Sequence, residues 1–266
     1  MPIPLGILAA SIKKGISDLF NRTTSGTLGT ADSGQVWANL RGTWFANGSK
    51  ATTATAASSY PIASIDMLVQ DATTSASVTS GTGVAFWITD SGSWWASTSQ
   101  NTQESYTYQC NPHTRYTYSC SFNCNGQAIS TSGSSDTNQG CSSIASNYCS
   151  GTVTNVSGSF SPYTAYDTCT GYNYYYYLRL TKSVVGTVSQ VVSDVSLASQ
   201  PAAIKVVTSG DTITAQAYSD EALTSPLGSA IVTTPASPTK GTSVGIIVAP
   251  TSYNQQALVD NFKSAR

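Results

Sequence analysis

A chain of 266 residues is long enough to bury a substantial core and long for one ordinary domain, although all-β sandwiches reach this size. Only 9% of its residues are charged, against about 25% in average globular proteins, and the formal net charge is -1. That balance supplies no basic field for nucleic acid or an anionic membrane. A hydrophobic content of 40%, with five Trp and fifteen Tyr, argues against a disordered chain.

The first segment, residues 1–17, reads as an anchoring arm. Ile3 to Ile12 is apolar, but Lys13 and Lys14 follow that run, whereas a signal peptide places its charge ahead of it. The run is also shorter than the roughly 20 residues needed to cross a bilayer, so no membrane span is expected. Pro2 and Pro4 disfavour helix at the start, while Ile7 to Ile16 suits a short amphipathic helix. Ile7, Leu8, Ile12 and Ile16 are the candidate anchors to a partner protein, and a frayed tail is the competing reading.

Short apolar runs separated by turn chemistry then recur at sandwich spacing. Ile65, Met67 and Val69 alternate with Asp66, Leu68 and Gln70. Gly83 to Thr89 predicts a strand, and Asp90-Ser91-Gly92 turns the chain into Trp94-Trp95. Leu178 to Leu180 leads into a hairpin pivoting on Gly186. Ile204 to Val207 turns at Ser209-Gly210-Asp211 into Thr212 to Tyr218, and Val244 to Val248 and Leu258 to Phe262 complete the set. Each strand of a sandwich turns one face inward, which makes Trp37, Trp44, Phe86 and Phe262 expected core anchors.

Residues 98–171 interrupt this pattern with a Ser-, Thr- and Asn-rich stretch, expected as a long irregular excursion. It holds all six cysteines: Cys110, Cys120, Cys124, Cys141, Cys149 and Cys169. An even count in a segment without its own core fits two or three disulfides among 15 pairings. The competing reading is zinc, with Cys120 and Cys124 joined by Cys141, Cys149 or His113, but no short C-x-x-C knuckle is present. Trp94, Trp95 and Tyr174 to Tyr177 belong to an aromatic belt suited to stacking on sugar rings or on a partner. Along a strand Tyr174 and Tyr176 face one way and Tyr175 and Tyr177 the other, so one pair can line the core. Packing the insertion onto the sandwich, or a subunit interface, explains the belt equally well.

The two ends carry a recognisable frame. Asp18-Leu19-Phe20-Asn21-Arg22 is followed by Leu28-Gly29, Gln35-Val36-Trp37 and Gly42-Thr43-Trp44, and the chain closes on Asp260-Asn261-Phe262. These segments resemble the laminin-G/concanavalin-A-like jelly-roll domains of bacteriophage structural proteins. The resemblance implies an all-β, lectin-like antiparallel sandwich from residues 18–97 and 172–266, with terminal strands paired and Phe20 near Phe262. It also implies a virion component (capsid decoration, head fibre or tail-associated adhesin), with other virion proteins as partners and a homo-oligomer, a trimer favoured. A module binding a host surface polysaccharide is the alternative, and a bacterial or matrix-like adhesion domain is a third reading.

Catalysis finds little support. His113 is the single histidine, and neither G-x-S-x-G nor H-E-x-x-H occurs. The E-x-D-x-E carboxylates of concanavalin-like glucanases are missing, since Glu104 and Glu221 each lack an acid two positions away. No enzyme and no cofactor are expected. Calcium, common in this fold class, has only Asp66, Asp90 and Asp260 as candidates, and each reads equally well as a turn former.

Overall fold

The computed structural model describes residues 15–55, 59–250 and 258–266. The described residues are all-β with one short helix, and their strands form two antiparallel sheets. The chain runs through β1 (Ile16–Asp18), β2 (Ala38–Arg41), β3 (Trp44–Ala46), β4 (Ala51–Thr53), β5 (Ile62–Asp66), β6 (Thr73–Val78) and β7 (Thr82–Asp90). It continues through β8 (Ser93–Cys124), β9 (Gln127–Ser135), helix α1 (Gly140–Tyr148) and β10 (Val153–Val184). The last strands are β11 (Thr187–Gln190), β12 (Val195–Leu197), β13 (Ala203–Ser209), β14 (Thr212–Tyr218), β15 (Pro226–Thr233), β16 (Ser243–Val248) and β17 (Leu258–Ala265).

One sheet has the order β15-β14-β13-β6-β17-β4-β3, with β1 on β17; the other runs β11-β10-β8-β7-β16-β5-β2, with β12 on β10 and β9 on β8. The main core lies between them and draws on both, with Phe262, Ile204 and Ile213 from the first and Phe86, Trp95 and Ile246 from the second. The expected anchors Trp37, Trp44, Phe86 and Phe262 are all buried. Strand alternation gives the second sheet a further apolar face, where Ile62, Ala85, Ile88, Trp94, Ala96 and Ile247 cluster.

The chain divides into two compact units. One comprises the described residues up to Gln103 with Tyr174–Arg266, and the other is Glu104–Asn173. Against the expected insertion of 98–171, the first boundary lies further along the chain, where Ser97 to Asn101 are buried residues of the sheet, and the second falls two residues later, after Asn173. At the other end Ile16 and Ser17, which fall within the expected arm of 1–17, are strand residues of the sheet. Ile16 pairs with Ser264 and Asp18 with Phe262, so the terminal strands are antiparallel neighbours. Phe20 and Phe262 meet through Trp37, at ring separations of 5.7 and 5.1 Å.

The Asp-x-Phe-x-Arg frame has a local physical role. Asp18 is fully buried, and its Oδ1 accepts from the Phe20 amide at 2.9 Å and from Arg22 at 2.7 Å. Its Oδ2 accepts from the other Arg22 nitrogen and from the Trp37 indole, both at 2.7 Å. Arg22 Nε donates to the Leu28 carbonyl. A buried carboxylate is tolerated when its oxygens are saturated in this way, and the bond to Asp18 raises the Arg22 pKa above its usual value.

Candidate functional site

Glu104–Asn173 is the unit in which the unusual chemistry concentrates. The expectation of an irregular excursion is overturned: the segment is mostly β8, β9 and β10, with α1 between β9 and β10. Ser, Thr and Tyr suit strands on intrinsic preference, but polar residues on both faces leave no period-2 apolar signal to read. β9 pairs with β8 in unbroken register from Tyr116 and Ser135 to Cys124 and Gln127.

All six cysteines are bridged, as Cys110–Cys169, Cys120–Cys141 and Cys124–Cys149, with Cα separations of 5.9, 5.4 and 5.7 Å. These lie in the ordinary disulfide range. The zinc reading is thereby set aside for these residues. Cys120, Phe122 and Cys124 share one face of β8 by strand alternation. Cys141 lies at the start of α1 and Cys149 directly follows it, so the two bridges clamp the helix at both ends. Between them Phe122 packs with Ala145, flanked by Ile129, Val153 and Val156. This is a small core, and the bridges supply the restraint that burial does not.

Six tyrosines of this unit are exposed: Tyr106, Tyr108, Tyr148, Tyr163, Tyr166 and Tyr172. Two others show how the rings are held. Tyr118 stacks on Phe160 at 5.4 Å and covers Gly133, where a side chain would collide with its ring. Desolvation, then a hydrogen bond with Tyr148, raises the Tyr118 pKa. Tyr106 likewise covers Gly171 and lies 5.9 Å from Tyr108. Glycine on one strand under an aromatic ring from its neighbour is a known device for fixing register. The unit holds only four charged residues, Glu104, Arg115, Asp136 and Asp167, and Arg115 pairs with Asp136 at 2.7 Å.

Several candidates from the sequence move. Trp94 and Trp95 are not surface contacts, being 1% and 5% exposed. Trp94 packs beside Tyr60 in the outer cluster, and Trp95 lies in the main core. Tyr174 and Tyr175 are exposed, whereas Tyr176 and Tyr177 are half-buried, with Tyr176 against the main core. The strip of four is thus split, because β12 pairs with β10 at Tyr176 and Tyr177. Ile16 is not an available anchor: it is 3% exposed and part of the core. Ile7, Leu8 and Ile12 lie outside the described residues.

The calcium candidates act in turns and bulges. Asp66 accepts from the Leu68 amide and the Thr242 hydroxyl, and Asp90 from the Gly92 amide. Asp260 accepts from the Asn261 amide; burial, and then the charge of Glu221, push its carboxyl upward. No group of three or more His, Cys, Asp or Glu side chains arranged to hold a metal occurs among the described residues. No helix among them is long and apolar enough to cross a membrane. No protein-family model matches the chain, and neither a curated protein nor a solved structure matches it.

Proposed function

We propose that this protein is a non-enzymatic structural component of a bacteriophage virion, with a lectin-like jelly-roll sandwich as its scaffold and residues 104–173 as the contacting surface. The observation that carries the reading is the combination in that unit of three disulfides with six exposed tyrosines and four charged residues. Disulfides persist where thiols are not continually reduced, and an assembled particle enters such surroundings on lysis. Exposed tyrosine at low charge suits contact by shape and aromatic burial, and Tyr is enriched at interfaces. The frame from Asp18 to Asp260-Asn261-Phe262 supports the choice of a phage particle by resemblance.

The test is to purify particles from the producing culture through a density gradient and quantify peptides of this chain across the fractions by mass spectrometry. Peptides that follow the major capsid protein at constant stoichiometry support the proposal. Peptides confined to the soluble fractions refute it.

A further inference from the structure

The unit Glu104–Asn173 carries a sheet edge unlike the edges of the sandwich. β9 pairs with β8 alone, and no strand pairs with its other side among the described residues. A strand edge is a row of unpaired N–H and C=O groups, which folded proteins blunt by short length, proline, charge or a bulge. The sandwich edges use these devices. β3 and β2 are three and four residues long, and β2 is bulged between Asn39 and Arg41. β11 has four residues, and β15 opens on Pro226 beside a break in register between Ala215 and Ala217. Within the small unit, β10 contains Pro162 and Asp167, with Asn155 and Gly158 at φ of 51° and 136°. β9 has none of these features. Its nine residues, Gln127–Ser135, include no proline and no charge, and its register is unbroken.

The turn fixes which groups face outward. Asn125 and Gly126, at φ of 51° and 85°, form the two-residue loop between the paired Cys124 and Gln127. Residues flanking such a loop make a hydrogen-bonded pair, and every second residue repeats it. Gln127, Ile129, Thr131, Gly133 and Ser135 therefore turn their backbone groups toward β8, while Ala128, Ser130, Ser132 and Ser134 turn theirs to the free edge. All four outward residues are exposed, and their backbone groups make no bond outside the strand among the described residues. Four N–H and four C=O groups thus stand in an alternating row.

An antiparallel copy of the same row satisfies all eight groups in one register. Ala128 then stands opposite the partner's Ser134 and Ser130 opposite the partner's Ser132, about a twofold axis beside Thr131. Each such pair exchanges two hydrogen bonds, and a slip of two residues either way loses one pair. Polar faces alone leave a strand's register loose, so the count of satisfied groups is what selects it. Ala and Ser put little bulk between facing residues, and the uncharged strand brings no like charges together across the axis. A row that matches its own reverse is what an isologous twofold contact requires, and one such edge per chain stops the assembly at two.

We propose that two copies of this chain pair through β9, antiparallel about Thr131, into one continuous sheet of order β10-β8-β9-β9-β8-β10. The symmetry is twofold, unlike the trimer that the resemblance implies. The contact belongs to the bridged unit and stands whether or not the chain is part of a particle.

The experiment is sedimentation equilibrium of the full, bridged chain up to about 1 mM, the weak end of measurable association, with amide hydrogen exchange on the same samples. The expected result is a mass of two chains at the upper concentrations, with the Ala128, Ser130, Ser132 and Ser134 amides slowing as the mass rises. The Ile129 and Thr131 amides, already bonded to β8, are slow before any rise. Ser132→Pro deletes one outward N–H without touching the ladder to β8, and Ser130→Lys with Ser132→Lys sets two like-charge pairs across the axis. Each change should weaken association at least about tenfold while keeping a native-like spectrum. Ser130→Lys with Ser132→Glu faces each Lys with a Glu in this register and should associate as well as the parent; a slip of two residues would face like with like. A single-chain mass throughout, a trimer, a dimer whose outward amides stay fast, or a Lys/Glu variant no better than the double lysine one overturns the proposal. None of these outcomes bears on whether the chain's peptides follow the capsid protein.

Discussion

Replacing Asp18 with Ala tests the frame that ties the two ends of the chain together. The carboxylate is fully buried and accepts four hydrogen bonds, from the Phe20 amide, both terminal nitrogens of Arg22 and the Trp37 indole. Its removal strands the Arg22 cation, the Phe20 amide and an indole N–H around a position that is itself fully buried. Breaking a buried ion pair from one side costs about 3–5 kcal/mol. The Arg22 side chain keeps 22% exposure and its bond to the Leu28 carbonyl, so hydration recovers part of the loss. The expected destabilisation is therefore about 3 kcal/mol, with Asp18→Asn at roughly two-thirds of that because it retains one acceptor. Equilibrium urea unfolding followed by tryptophan fluorescence is a clean assay, because Trp37, Trp44, Trp87, Trp94 and Trp95 all lie outside Glu104–Asn173. In a double-mutant cycle, Asp18→Ala and Arg22→Ala should couple by about 2 kcal/mol. Additive effects, or a loss below about 1 kcal/mol for Asp18→Ala, would refute the assignment of this network as the clasp of the terminal strands.

Two further outcomes follow from the same geometry. The three bridges span 59, 21 and 25 residues, for which the chain-entropy model gives about 3–4 kcal/mol each, with nesting of the last two inside the first making the total smaller than the sum. Reduction and alkylation should therefore abolish amide-exchange protection in β9 and α1 while β13, β14 and β16 stay protected; loss of protection in both units would contradict the division between them. The second outcome concerns Asp260, whose carboxyl is pushed upward by burial and by Glu221. A raised carboxyl pKa means that the folded state holds the proton more tightly, so its stabilising contribution is present at acid pH and is lost as pH rises through the folded value. Asp260→Asn should be more stable than the parent at neutral pH, with the difference vanishing on acidification, and unfolding curves across that range would expose an opposite sign.

Much of the sandwich is legible in the sequence. Where one face is buried, alternation is strong: β13, β14, β16 and β17 stand where Ile204 to Val207, Thr212 to Tyr218, Val244 to Val248 and Leu258 to Phe262 predict them. Gly186, at φ of 84°, turns β10 into β11 as expected of a residue free to adopt a left-handed backbone. Apolar patterning carries less information at short or polar strands. β6 reads Thr-Thr-Ser-Ala-Ser-Val, and its place beside β17 is decided by pairing with distant residues rather than by its own composition. Trp94 and Trp95 illustrate a different limit. Adjacent residues on a strand face opposite ways, and an exposed partner for one of them is the natural inference. The second sheet is instead apolar on both faces at this point, so both rings are buried.

The unit Glu104–Asn173 was legible in its chemistry and not in its shape, for one physical reason. Regular structure is read from sequence through the contrast between buried and exposed positions, and this unit has almost none. Its helix shows the point most sharply. Gly140 to Tyr148 contains Gly, Ser and Asn in place of strong helix formers, has no side-chain cap, and buries only Ile144 and Ala145. Nothing local calls for a helix there. Cys141 and Cys149 bind its two ends to Cys120 and Cys124, which stand four residues apart on one strand, and Phe122 between them packs with Ala145. The order is imposed from outside by covalent bonds. The same substitution of restraint for burial frees the tyrosines: a unit whose fold rests on bridges does not need all of its aromatic rings inside, and six of them remain at the surface for other contacts.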